Sequence, residues 1–149
     1  MSAMLAADRE SLFWINFLEV PPKPPDGGDL LKLTYRLRMK VLFRPSTLAG
    51  NARQAVAQLA WRVRRGTADV PGGFLEASNG TPYFITLTAV DLRLPNHALA
   101  QDSVTVAPFG HARMPLPAQA SDLADGTMVH YTAVGDNGEA ISGTSRIQP

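Results

Sequence analysis

The chain has 149 residues, 45% of them hydrophobic and 18% charged, which allows one large domain or two small ones and excludes a disordered polymer. It contains no cysteine, which excludes a disulfide framework and a thiolate metal site. The net charge of +1 conceals an asymmetry: through Val70 there are 11 Lys and Arg against 6 Asp and Glu, and beyond it 3 against 7.

The opening "MSAMLAADRE" lacks the basic and apolar regions of an export signal, and Asp8 and Glu10 arrive too early for one. No apolar run approaches bilayer length, so no membrane insertion is expected. "SLFWINFLEV" is the first β-type run, and "PPKPPDGGD" after it is a loop that cannot sit inside a sheet. In "LKLTYRLRMKVLFRP", Leu31, Leu33, Tyr35, Leu37, Met39, Val41 and Phe43 share one parity. Lys32, Thr34, Arg36, Arg38, Lys40 and Arg44 share the other, with Leu42 the exception. "NARQAVAQLAWRV" fits a short amphipathic helix and an alternating strand almost equally. The later β-type runs are "QLAWRVR", "GGFLEAS", "YFITLTAVDLRL", "DSVTVAP", "HARMPLP", "MVHYTAV" and "EAISGTSRI". "GDNGE" between the last two is a hairpin signal through Asn137-Gly138. Short strands at this spacing, with turn chemistry between them, predict an all-β antiparallel sandwich or barrel.

The alternating stretch is too long for an ordinary strand. At about 3.3 Å per residue its thirteen residues extend roughly 43 Å, about twice a typical strand. One reading covers it with its own sandwich. The other leaves an overhang for a partner that adds its own strands. The turn-forming "PSTLAGNA" predicts a break after Pro45. Residues 46–149 then have the size of a sandwich domain, and residues 1–45 supply only two strands, which are marginal alone.

"DRESLFWINFLEVPPKPP", "LKLTYRLRMKVLFRP", "NGTPYFITL", "VAPFGHARMPLP" and "YTAVGDNGE", in this order, resemble the periplasmic chaperones of the chaperone–usher pilus pathway. Those proteins consist of two immunoglobulin-like domains. The resemblance implies that residues 1–45 are the last two strands of the first domain and 46–149 the second domain. It also implies periplasmic location, although this chain carries no signal peptide, and a protein that lacks the opening strands of its first domain. In the family the seventh strand of the first domain lends apolar side chains to an incomplete pilin fold. The matching positions here are Leu31, Leu33 and Tyr35, followed by Leu37 and Met39. Lys40 matches a cleft lysine that binds the C-terminal carboxylate of the subunit; taken without the resemblance, it reads as a solvated strand lysine. Glu10, Arg44 and Asp136 match an interdomain charge network. "NGTPY" and "GDNGE" depart from the family's usual turns, and no counterpart is present of an arginine that shares the carboxylate site. The implied partners are pilin-type subunits and an outer-membrane usher.

Two other classes compete with this reading. His97, His111 and His130 fit no metal-ligand spacing, and nucleophile elbows and phosphate loops are absent, so no enzyme activity and no cofactor are expected. Arg36, Arg38, Lys40, Arg62, Arg64 and Arg65, interleaved with Tyr35, Phe43 and Trp61, resemble a single-strand binding surface. No nucleic-acid fold signature accompanies them, and no nucleic-acid partner is expected. A further alternative is a non-functional fragment that forms homo-oligomers through exposed strands.

Overall fold

The structure, a computed structural model, describes residues 5–20, 34–64, 66, 71–92, 103–117, 123 and 126–149. The proline-rich stretch 21–29, together with Leu31, Leu33 and His97, lies outside the described residues. The elements in chain order are β1 (Ser11–Leu18), β2 (Arg36–Phe43), α1 (Ala52–Val56), β3 (Ala60–Arg64), β4 (Phe74–Ser78) and β5 (Ile85–Leu92). They continue with β6 (Val104–Val106), β7 (His111–Pro115), β8 (Met128–Val134) and β9 (Ala140–Gln148). β1 and β2 form a separate two-stranded sheet, and the other strands run β6-β5-β8-β9-β3-β4-β7. β9 belongs to both layers of this array. It pairs antiparallel with β8 along its length, and its last residues pair parallel with β3 at Trp61↔Ile147. The result is an all-β immunoglobulin-like sandwich preceded by a hairpin.

The ambiguous stretch "NARQAVAQLAWRV" contains both elements. Asn51 accepts a hydrogen bond from Gln54 N at 2.8 Å and caps the single turn of α1. The chain then extends into β3. α1 buries Ala55 and Val56, and β3 buries Trp61 at the centre of the sandwich. Trp61 meets the ring of Tyr131 with centroids 5.2 Å apart, a contact worth about 0.5–1.5 kcal/mol beyond its area. Tyr131 also lies over Gly143 on the neighbouring strand, where a Cβ would come within 2.4 Å of its ring. Hence glycine stands in the middle of β9.

β5 shows how one alternation survives an odd residue. Ile85 and Leu87 are buried, then Val90 and Leu92, so the buried parity changes between Leu87 and Val90. The pairing with β8 shifts register between Leu87 and Ala89, and this bulge absorbs the extra residue. Pro115 closes β7 at the edge of the array, where a missing N–H breaks no ladder. At "GDNGE" the Gly135 N–H bonds to Glu139 O at 2.8 Å. Gly138 is the residue there at positive φ, +80°, so the turn places glycine, not Asn137, in the left-handed conformation.

β2 is eight residues long, shorter than the alternating stretch predicted. Tyr35 lies just before it and is tied to β1 by a bond from Glu19 N to Tyr35 O of 3.0 Å. The register pairs Phe13 with Val41, Ile15 with Met39 and Phe17 with Leu37. Directly opposed residues share a face. One face of the hairpin is therefore apolar apart from Ser11 at its end, while the other carries Leu12, Trp14, Asn16 and Leu18 opposite Leu42, Lys40, Arg38 and Arg36. The buried hydrophobic core lies entirely between Ala55 and Ile147, and no hydrophobic side chain of the hairpin belongs to it.

On the outer face of the sandwich Glu76 of β4 is buried, 3% exposed, between two arginines. Arg64 donates Nε and Nη2 to Oε1 at 2.9 and 2.7 Å, and Arg113 donates Nε to Oε2 at 2.8 Å. Arg64 first, then Arg113, holds the Glu76 carboxyl down at about 2, from an ordinary 4.5. A carboxylate with a depressed folded pKa stabilises the fold above its unfolded pKa, and the contribution is lost as pH falls through the folded one. Both arginines are half-exposed, so solvent screening reduces the full linkage value. We expect Glu76→Gln to cost about 1–2 kcal/mol at neutral pH. It should also flatten the fall of the melting temperature between pH 4.5 and 2. Calorimetry across that range checks both; an unchanged acid limb refutes the assignment.

Candidate functional site: the cleft between hairpin and sandwich

The hairpin meets the sandwich at its open end, where β1 begins and β2 finishes. Glu10, just before β1, donates its N–H to Pro82 O at 2.9 Å, and its Oε2 accepts from Phe84 N at 2.6 Å. Its side chain is fully buried, so an unpaired charge there would be costly. Arg44, just after β2, supplies the counter-charge. Its Nε donates to Glu10 Oε1 at 2.6 Å, and Nη1 and Nη2 donate to Asp136 Oδ2 and Oδ1, both at 2.7 Å. The guanidinium also lies 5.2 Å from the centroid of the Tyr83 ring. One planar fork thus joins the start of β1, the end of β2 and the β8–β9 turn. The bidentate bond to Asp136, and then Glu10, raises the Arg44 pKa further above its already high value. Arg44 in turn lowers that of Asp136.

Two side-chain systems support this junction. Asn79 donates Nδ2 to Tyr83 O at 2.7 Å and to Ala107 O at 3.1 Å. Its Oδ1 accepts from Thr81 N and Thr81 Oγ1 at 2.9 and 2.7 Å. All its polar atoms are satisfied in a buried position, which fixes the loop that presents Pro82 O and Phe84 N to Glu10. On the β6–β7 turn, Phe109 sits at φ +52° with its ring exposed, and the Arg9 guanidinium covers it at 5.1 Å.

Between hairpin and sandwich lies an open cavity of about 610 Å³. Lys40, Leu42 and Arg44 enter it from β2, opposite Ile85 and Thr86 of β5 and Val134 at the end of β8. The Lys40 ammonium is half-buried there and donates to Thr86 Oγ1 at 3.2 Å and to Thr105 Oγ1 of β6. Burial pushes its pKa down, and both of these partners are neutral hydroxyls. Nearby, Glu10 and Asp136 are engaged by Arg44. Lys40 is therefore a partly desolvated cation, held in place, and among the described residues no carboxylate compensates its charge. An ammonium has three donors, and the hydroxyls use two. The arrangement can hold an anionic oxygen.

Glu10, Arg44 and Asp136, chosen from sequence, are in direct contact, and Lys40 lies in the same cavity. Leu37 and Met39 are on the opposite, apolar face of β2, and Tyr35 precedes the strand with the same parity. Leu31 and Leu33 lie outside the described residues. His111 and His130 stand on different strands, β7 and β8. Sequence reasoning missed Thr86, Thr105, Asn79 and Thr81. Thr86 and Thr105 are cross-strand neighbours in β5 and β6, which no local pattern reveals.

Comparison with known proteins places this geometry. Residues 54–145 match the C-terminal domain of the pili assembly chaperone PapD. Residues 1–49 match the N-terminal domain of the pili and flagellar-assembly chaperones of PapD type. The "Probable fimbrial chaperone YadV" of Escherichia coli K12 is 36% identical over 98% of this chain and 59% of its own length. The chaperone protein FimB/FhaD of Bordetella pertussis is 43% identical over 59% of this chain and 34% of its own. The crystal structure of YadV superposes with a TM-score of 0.77 at 35% identity, covering 98% of this chain and 66% of that one. The chain spans about three-fifths or less of the length of these curated relatives. With both PapD-type domain families matched along its length, the chain belongs to the pili-assembly chaperone family.

Proposed function

We propose that this chain binds pilus subunits by lending them a strand. An extended subunit segment adds to the outer edge of β2, which is unpaired among the described residues. Leu31, Leu33 and Tyr35, then Leu37 and Met39, lend apolar side chains to the subunit's groove, and Lys40 holds its C-terminal carboxylate. In this reading residues 1–45 belong to a subunit-binding domain and 46–149 to the second domain. The complex forms in the periplasm and is handed to an outer-membrane usher. The observation that carries the reading is the juxtaposition on β2 among the described residues: an exposed apolar face and an unpaired edge beside a partly desolvated lysine with no carboxylate partner. Membership of a family of fimbrial and pili-assembly chaperones supports it.

The proposed role of Glu10, Arg44 and Asp136 is orientation. Their ion pairs join hairpin to sandwich and so set where Lys40 sits relative to Thr86 and Thr105.

A second reading rests on one observation. Phe13, Ile15, Phe17, Leu37, Met39, Val41 and Phe43 form a charge-free face that is 38–54% exposed at every position. A second copy would cover it with an equally charge-free surface. Sedimentation equilibrium distinguishes this association: dimers that revert to monomer with Ile15→Glu support it, and a wild-type monomer excludes it.

For the leading reading, a peptide matching a pilin C-terminal strand should bind with a free carboxylate and weaken at least about tenfold when amidated. Lys40→Met should remove that difference while leaving the melting temperature nearly unchanged. The burial-lowered pKa of Lys40 sets a sign. Binding needs the ammonium, so affinity should fall at alkaline pH before an ordinary lysine begins to titrate. Equal affinity of the acid and amide peptides would refute the role of Lys40. Arg44→Ala should free Glu10 to hydrate as the hairpin swings away, and amide exchange at Phe84 should rise at least about tenfold. An equally protected Phe84 amide would show that Arg44 does not set the junction.

A further inference from the structure

Lys40 does not stand alone on its face of β2. Arg38 and Arg36 precede it at two-residue intervals, so the three cations line one face about 6.7 Å apart. Their cross-strand partners on β1 are Trp14, Asn16 and Leu18, none of them acidic. Among the described residues no carboxylate pairs with Arg36 or Arg38, and both are exposed. Trp14 holds the stripe in shape. The Arg38 guanidinium lies 3.9 Å from its ring centroid and the Lys40 ammonium 5.6 Å. Stacking there limits the rotamers of Arg38, so less side-chain entropy is lost when it meets an anion.

We propose that this stripe selects an acidic strand. Resting on the reading of Lys40 as a carboxylate anchor, it deepens that reading by naming the ligand's side-chain chemistry. A strand that ends with its carboxylate at Lys40 and runs back along the free edge of β2 is parallel to β2. Its residues two and four positions before the terminus then stand beside Arg38 and Arg36, on the same face. Strand spacing is about 4.8 Å, so Asp or Glu at those positions reaches the guanidinium groups. The other face of the hairpin is uncharged, so residues of the opposite parity in the ligand are apolar. The ligand is thus an extended peptide with a free carboxyl end and carboxylates at alternate positions. A nucleic acid fits less well: Trp14, the aromatic ring within the stripe, is already covered by Arg38, and base stacking needs open rings.

The test uses the full chain and three peptides with identical apolar positions. One has Glu two and four residues before a free C-terminus, one has Gln at both positions, and one is the Glu peptide amidated. Fluorescence anisotropy at low salt should show the Glu peptide binding about three- to tenfold tighter than the Gln peptide. High salt should shrink that ratio toward one. Arg36→Gln with Arg38→Gln should abolish it, and Arg36→Lys with Arg38→Lys should restore most of it, which separates charge from folding damage. Equal affinities of the Glu and Gln peptides, with the free acid still favoured over the amide, overturn the acidic-strand proposal and leave the Lys40 reading intact. Loss of the acid-over-amide preference overturns the Lys40 reading and the proposal together. A single-stranded oligonucleotide that displaces the Glu peptide at equal charge assigns the stripe to nucleic acid and also overturns it.

Discussion

The junction depends on one guanidinium. Glu10 is a fully buried carboxylate at the base of a hairpin that has no core of its own. Burying it is tolerable only because Arg44 meets one oxygen and the Phe84 N–H meets the other. The same guanidinium reaches Asp136 on the β8–β9 turn with its two remaining nitrogens. Arg44 is half-exposed and Asp136 exposed, so that pair contributes little to stability. Its consequence is geometric. A planar fork satisfied on all three nitrogens permits few relative positions of hairpin and turn, and Lys40 lies four residues before it on the same face.

The hairpin itself is a conflict between backbone and side chains. Its ladder is complete from Ser11↔Phe43 to Leu18↔Arg36, yet no side chain of its apolar face belongs to the buried core. Two strands alone are marginal in water, and the exposed residues are large ones such as Phe13, Phe17 and Met39. Among the described residues, contacts to the sandwich come from the open end, through Arg9, Glu10 and Arg44, and from Lys40 within β2. A strand with this composition is stable when something covers that face. This is why the strand-lending reading and the self-association reading both begin from the same seven side chains.

Much of this was legible in the sequence, for identifiable reasons. Each strand from β3 to β8 falls within a β-type run, and β9 overruns its own by Gln148 alone, because Gly, Pro, Asn and Asp punctuate the runs and apolar residues alternate within them. The contact of Glu10, Arg44 and Asp136 followed from resemblance, not from pattern, since their separations along the chain carry no periodic signal. α1 stayed ambiguous because five residues cannot separate a 3.6-residue period from alternation. The β5 bulge is visible afterwards in the change of parity from Ile85 and Leu87 to Val90 and Leu92. Thr86 and Thr105 were not legible, because their relation to Lys40 depends on a pairing between strands and on how the hairpin sits against their edge.

Those two hydroxyls decide what Lys40 can do. A lysine facing water would keep its hydration and gain little from an anion. A lysine against a carboxylate would already be neutralised. Lys40 is in neither state: it is partly stripped of water, and its hydroxyl partners supply dipoles without charge. Desolvation has been met in folding, before any ligand arrives, so an incoming carboxylate recovers electrostatic energy that is otherwise missing. The two carboxylates among the described residues that line the cavity are held by Arg44, which keeps them from filling that place. The ion pairs at the junction and the availability of Lys40 are thus one arrangement: Arg44 binds the cleft's own acids and leaves its lysine open.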